Sequence, residues 1–397
     1  MIYLILSGRE SRVLVQSVQL FLQQLIIGIQ LGSVYALIAV GYTMVYGVLQ
    51  FINFAHGDVY MVGAYMGLFV VTGFSAQAVD AQAMTVVLGM VAIVALLVSM
   101  RGHWRDPKAI AIRFISFGVV FVALGLVVRV FLAVGTRLFG MITGVASHSV
   151  VIGGLLGLLV SVTWCGLLGL VIERSAYKPV RGTGRLTALI TAIGVSLLIE
   201  NGGQAVFGAH NQAYTIGVLP GGPELISAPL FLRLGPISLS LNRGETIVLI
   251  IAAILVSGLI YIIRYTRIGR SMRAVAFDRD AAALMGINTD TVIAFTFFLG
   301  AALAGAGGFL NYGLTQFSFD TQTGIMFGLK AFVAAVLGGI GNLGGAVLGG
   351  IIMGVAETFV GISPFGTYKE AIAFVILIAI LLFRPAGLLG RYTVEKV

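Results

Sequence analysis

The stretch RAVAFDRDAAALMGI, residues 273 to 287, sets Arg273, Asp278, Arg279 and Asp280 around three alanines in a chain of which only 10% is charged. Asp278 is a good N-cap for a short helix from Arg279 to Met285, because its carboxylate can accept a free backbone N–H. Gly286 fits the position just past that helix, where a left-handed conformation ends it cheaply. Ala281, Ala282 and Ala283 carry almost no side chain, so a partner's cleft can close on the backbone while Arg279 and Asp280 offer charge-assisted contacts at the rim. That chemistry is grip rather than catalysis. A plain solvated loop is the competing reading.

A second cluster is INFAHGD, residues 52 to 58, in which Asn53, His56 and Asp58 lie between two apolar segments. Ionisable residues at membrane depth mark functional paths or buried partners, so these three are candidates for a translocation path or gate. Asp58 is equally a candidate N-cap for the helix that follows. Lys330 and Glu357 stand in late apolar segments on either side of a glycine run and belong to the same candidate set. They could neutralise each other, or Lys330 could snorkel to the interface. No metal site is expected: the chain has four histidines, and no second ligand stands four residues from His56. No catalytic residue is expected either. The sequence has no phosphate-binding G-x-x-x-x-G-K-[ST] loop, no G-x-S-x-G elbow and no H-E-x-x-H.

The elements that must carry these residues follow from composition. The chain has 397 residues, is 59% hydrophobic, and has a mean hydropathy of +1.06; soluble domains carry roughly 25% charged residues. The fold class is therefore all-α, a polytopic transmembrane helical bundle in a single domain, residues 1–397. A crossing takes about 20 apolar residues. Candidate segments lie at 18–48, 58–74, 83–100, 110–134, 149–172, 187–207, 245–263, 291–312, 325–341, 343–361 and 368–383, giving about 10–12 membrane segments. The first is too long for one upright helix; Gly28, Gly32, Gly41 and Gly47 allow a broken first segment, read as one tilted span, one span plus a re-entrant piece, or two spans. No removable signal peptide is evident.

Lysine and arginine set the orientation. Sixteen of them fall in 101–113, 173–185, 264–290 and 384–397, whereas 75–82, 313–324 and 362–367 hold none and 208–244 holds only Arg233 and Arg243. The first group is expected on the cytoplasmic side, together with the C-terminus; the N-terminus lies outside only if the first segment crosses once. The Pro/Gly-rich loop 208–244 is then extracytoplasmic, a landing surface for a partner or an ordinary connection. Basic residues form no patch with interleaved aromatics, so nucleic acid is not an expected partner and the lipid bilayer is. In AVLGGIGNLGGAVLGGIIMGVAE, Gly345 and Gly349, then Gly350 and Gly354, recur four apart, a spacing that lets helices pack closely.

Several blocks carry a family resemblance. DAAALMG at 280–286 is similar to the EAA loop of ABC-transporter permeases. GSVYALIAVGYTMVYGVLQFINFAHGDVYMVGAY at 32–65, ERSAYKPVRG at 173–182, LTALITAIGVSLLIEN at 186–201 and KAFVAAVLGGIGNLGGAVLGG at 330–350 resemble the branched-chain amino acid permease family, the Liv-type membrane subunits. The resemblance implies a permease subunit of an ABC importer in a bacterial inner (plasma) membrane, working by alternating access. It implies a second permease subunit, two ATPase subunits holding the ATP and Mg, and an extracytoplasmic substrate-binding protein. The coupling loop is then 264–290, with Asp278, Arg279, Asp280, Ala281, Ala282 and Gly286 at the ATPase. The chain departs from the family pattern at 78–140, an insertion of two apolar segments around Arg101, Arg105, Lys108 and Arg113. A peripheral hairpin or a contact with lipid head groups fits it. The alternatives are an ABC permease for urea or short amides, an ion-coupled secondary carrier using Glu200 and Glu357, or a membrane scaffold.

Overall fold

A computed structural model describes residues 9–72, 137, 140–181, 184–214, 216–234, 237–315 and 318–390. Its first segment is one continuous helix, α1 (Arg9–Leu49). The break expected at the glycines does not occur. A buried glycine costs a helix only about 1 kcal/mol, and these glycines serve as contact surface. A Cβ at Gly28 would lie 2.6 Å from Val355 Cα, and one at Gly32 2.6 Å from Ile351 Cα. The chain turns instead just past Leu49, where Gln50 has φ 60°. At 1.5 Å per residue α1 is about 60 Å long, twice a hydrocarbon core of about 30 Å, so it crosses once and projects beyond it.

The other helices are α2 (His56–Thr72), α3 (Val150–Ile172), α4 (Arg185–Phe207), α5 (Arg243–Tyr265), α6 (Arg267–Phe277), α7 (Arg279–Leu284), α8 (Thr289–Thr315), α9 (Thr323–Gly338), α10 (Leu343–Ile362) and α11 (Ile372–Phe383). Nine of the eleven expected segments are thus helical. The other two, 83–100 and 110–134, lie outside the described residues, as does nearly all of the expected insertion. Among the described residues six helices are long and apolar enough to cross a membrane, whereas α9 and α11 are shorter. The apolar segment expected from 368 becomes helical only at Ile372, after a 3-10 turn over Gly366–Tyr368.

The core is α8, packed against α1, α2 and α3. In α8 83% of the most apolar stretch is buried, against 17% in α4, so α4 is peripheral. Against α1 and α9 lies α10, whose paired glycines divide the work. Gly345 meets Gly338 and Gly349 meets Ala334 on α9, while Gly350 meets Ala36 and Gly354 meets Gly32 on α1.

The connections sort onto two faces. On the first, Asn53 meets Tyr177, Asp290 meets Lys178 and Arg181, and the backbone N–H groups of Leu388 and Leu389 bond the ends of α9 at Leu337 and Gly338. Ile340 gathers there with Tyr46 and Ile52 around a small cleft. On the second, β1 (Gln212–Ala213) pairs antiparallel with β4 (Ser318–Phe319), and β2 (Leu230–Leu234) forms a hairpin with β3 (Ile237–Leu241). The Gln19 side chain donates to the Ser238 carbonyl of that hairpin at 2.6 Å. The N-terminal part of α1 therefore shares the second face with 208–244, the arrangement a single crossing produces.

Candidate functional site

The first face carries the built surface. Thr266 caps α6, its hydroxyl accepting from the Gly269 N–H at 3.1 Å, and Gly269, Met272 and Val275 bury one side of the helix. The Arg273 guanidinium donates to the carbonyls of Ile263 and Arg264 at the end of α5, where a cation suits the helix dipole. Arg273 is thus a cap for α5 rather than a grip. Asp278 Oδ1 accepts from the Ala281 N–H at 2.9 Å, which makes it the N-cap of α7 as its position predicts. The helix ends on Gly286 at φ +82°. Ile287 N–H bonds Ala282 O at 3.1 Å and Gly286 N–H bonds Ala283 O at 3.0 Å, the paired bonds of a Schellman stop.

The alanines do not all face out. Ala282 is 4% exposed and belongs to the chain's own core, because a helix of fewer than two turns must set one side on the protein that carries it. Ala281 and Ala283 are exposed. The outer surface is apolar in a way the alanines do not suggest: Phe277, Leu284 and Met285 are 93%, 89% and 83% exposed, alongside the exposed Asp278, Arg279 and Asp280. Large apolar side chains beside charges on a connecting turn mark an interaction surface. The signal for them was FDRDAAALM itself, read for its charges and alanines and not for the apolar residues bracketing them.

An ion network fastens this surface to the bundle. Asp290, in the first turn of α8, accepts from Lys178 at 2.9 Å and Arg181 at 2.8 Å, with Arg279 of α7 at 3.9 Å. Arg181 also pairs with Glu173, and both side chains are buried. Burial, and then the charge of Arg279, pull the Arg181 guanidinium below its ordinary pKa. Lys178, Arg181 and Glu173 come from ERSAYKPVRG, where α3 continues through a π turn over Glu173–Tyr177 and a 3-10 turn over Lys178–Val180.

The buried polar residues form separate clusters. Asn53 Oδ1 accepts from Tyr177 OH at 2.6 Å, and the His56 ring packs edge-on to Tyr42 at 4.6 Å. Asp58 is no N-cap: His56 N–H bonds Asn53 O at 3.1 Å, so α2 starts two residues before it. Its carboxylate instead accepts from Ser196 of α4 at 2.5 Å. Elsewhere Lys330 Nζ lies 2.7 Å from Glu357 Oε1 and 2.7 Å from Glu370 Oε2. Lys330 therefore points inward and does not snorkel. No group of three or more His, Cys, Asp or Glu that could hold a metal occurs among the described residues.

A family model described as branched-chain amino acid transport system / permease component matches residues 24–126 and 108–381. The chain belongs to the branched-chain amino acid permease family. It is 35% identical over 380 residues to the high-affinity branched-chain amino acid permease LivH of Salmonella typhimurium strain LT2, covering 95% of this chain and 98% of that protein. LivH of Escherichia coli K12 matches to the same extent. BraD of Pseudomonas aeruginosa is 35% identical over 378 residues, again covering 95% and 98%. No solved structure matches. Family membership makes this a multi-pass transport permease subunit, not itself an enzyme.

Proposed function

We propose that this chain is the permease subunit of an ABC importer carrying branched-chain amino acids across the bacterial inner membrane, with the first face cytoplasmic and ATP hydrolysis on two separate subunits. The observation that carries this is the near end-to-end likeness to LivH and BraD. A second permease subunit completes the pathway, and the substrate-binding protein meets the 208–244 face. The basic residues of 173–185, 264–290 and 384–397 support that sidedness.

The ATPase grips α7 through Phe277, Leu284 and Met285, with Arg279 and Asp280 at the rim. Movement of α7 passes to α8 in two ways: through the short turn at Ile287–Asn288, and through Asp290, which ties Arg279 to Lys178 and Arg181. Because α8 is the central helix, a push at its first turn reaches α1, α2 and α3 together. Such coupling lets the bundle alternate between its two openings. Of the ionisable side chains assigned to the path or gate, Asp58, His56, Lys330 and Glu357 are all buried, Asp58 bonded to Ser196, Lys330 paired with Glu357 and His56 against the Tyr42 ring.

The test is ATP-driven uptake of radiolabelled leucine into vesicles holding the permease with its ATPases and binding protein. Saturable uptake displaced by isoleucine and valine, and not by urea or acetamide, is the expected result. Displacement by urea alone would replace the amino-acid reading with the amide one.

A further inference from the structure

Lys330 is the one lysine or arginine among the described residues that is buried within an apolar helix. It faces two carboxylates although one would neutralise it. Glu357 is fixed: it is buried in α10, and Tyr35 OH of α1 donates to its second oxygen at 2.6 Å. Glu370 is different. It lies in the connection between α10 and α11 on the second face, with its side chain 51% exposed. Of the two partners, Glu370 is the one free to part from Lys330. Beside them stands an aromatic wall. The Phe327 ring is 6.0 Å from Lys330 Nζ, stacks on Tyr60 at 5.2 Å and tilts against Tyr35 at 5.7 Å.

Resting on the reading that the cargo is an amino acid, the geometry points to Lys330 and Glu370 as a binding site for an α-amino acid zwitterion that works by ion-pair exchange. The cargo's carboxylate takes Lys330, its ammonium takes Glu370, and its aliphatic side chain lies on the half-buried Phe327. At the buried Lys330 end a carboxylate enters only if it is paired on arrival, and at the half-exposed Glu370 the ammonium meets a carboxylate still in reach of water. Here one ion pair opens and two form, while Glu357, itself held by the Tyr35 hydroxyl, keeps Lys330 paired throughout. The same arrangement excludes other cargo. An uncharged amide would open the Lys330–Glu370 pair without returning a charge to the buried Lys330, whereas an amino acid returns its carboxylate there and adds an ammonium for Glu370.

The experiment compares Glu370→Gln, Glu370→Asp and Lys330→Arg with the wild type in the assembled transporter, reading leucine uptake and binding-protein-stimulated ATP hydrolysis side by side. Glu370→Gln is expected to lower uptake at least tenfold while hydrolysis stays within twofold, and Glu370→Asp and Lys330→Arg to recover most of the uptake. Wild-type uptake by Glu370→Gln would overturn the assignment. So would a parallel loss of uptake and hydrolysis, which would make Glu370 a packing residue. A wild type that carries urea and not leucine would overturn the amino-acid reading together with this site, whereas normal leucine uptake with an indifferent Glu370 overturns the site alone.

Discussion

Arg181 holds the first face together, because one guanidinium meets Glu173 and Asp290 at once. Its planar fork suits two carboxylates where a lysine's single ammonium does not. Arg181→Ala would leave the buried Glu173 unpaired, and removing one partner of a buried pair costs about 3–5 kcal/mol. The expected outcome is a steep fall in thermal stability of the purified permease, with Arg181→Lys recovering only part of it. Equal stability of the alanine variant would mean that the network does not hold the face. At this scale the N-cap role of Asp278 and the stop at Gly286 were legible in sequence, since local backbone geometry sets both. The place of Asp58 was not: whether a carboxylate caps its own helix or meets Ser196 depends on where the helix starts and which neighbour stands 138 residues away.

At the scale of elements, the glycines decide which helices touch. Gly32→Leu would force Cβ against Ile351 Cα and push α1 from α10, a backbone clash that no rotamer relieves. Overpacking of this kind costs typically 1–3 kcal/mol or more. Gly258 on α5 has nothing within 4 Å of its Cβ position. Gly258→Ala should therefore be neutral or stabilising by up to about 1 kcal/mol through helix propensity. Thermal unfolding of the two variants in detergent checks the contrast, and a Gly32→Leu protein as stable as Gly258→Ala would contradict the packing. Hydropathy marked the helices well, and glycine spacing marked the close-packing faces of α10. It misread α1 because glycine spacing signals a hinge and a contact surface alike, and only the partner helix distinguishes them. The inward turn of Ala282 escaped for a related reason: a helix of six residues has no periodicity to show which side it buries.

At the scale of the whole molecule, two faces follow from one count of basic residues. Ser238 and Asp280 stand on opposite faces, so in intact cells a membrane-impermeant maleimide should label Ser238→Cys and spare Asp280→Cys until the membrane is opened. Labelling in the reverse order would invert the orientation. In the proposed coupling the ATPase meets the surface formed by Phe277, Leu284 and Met285, of which the DAAALMG motif includes only the last two. These side chains touch little of their own chain, so replacing them leaves the bundle intact. The decisive measurement is co-purification of the ATPase subunits with a Leu284→Glu, Met285→Glu double variant. If this surface holds the ATPase, the permease keeps its wild-type thermal stability and loses at least tenfold of its bound ATPase. Wild-type recovery of the ATPase with this variant would contradict it.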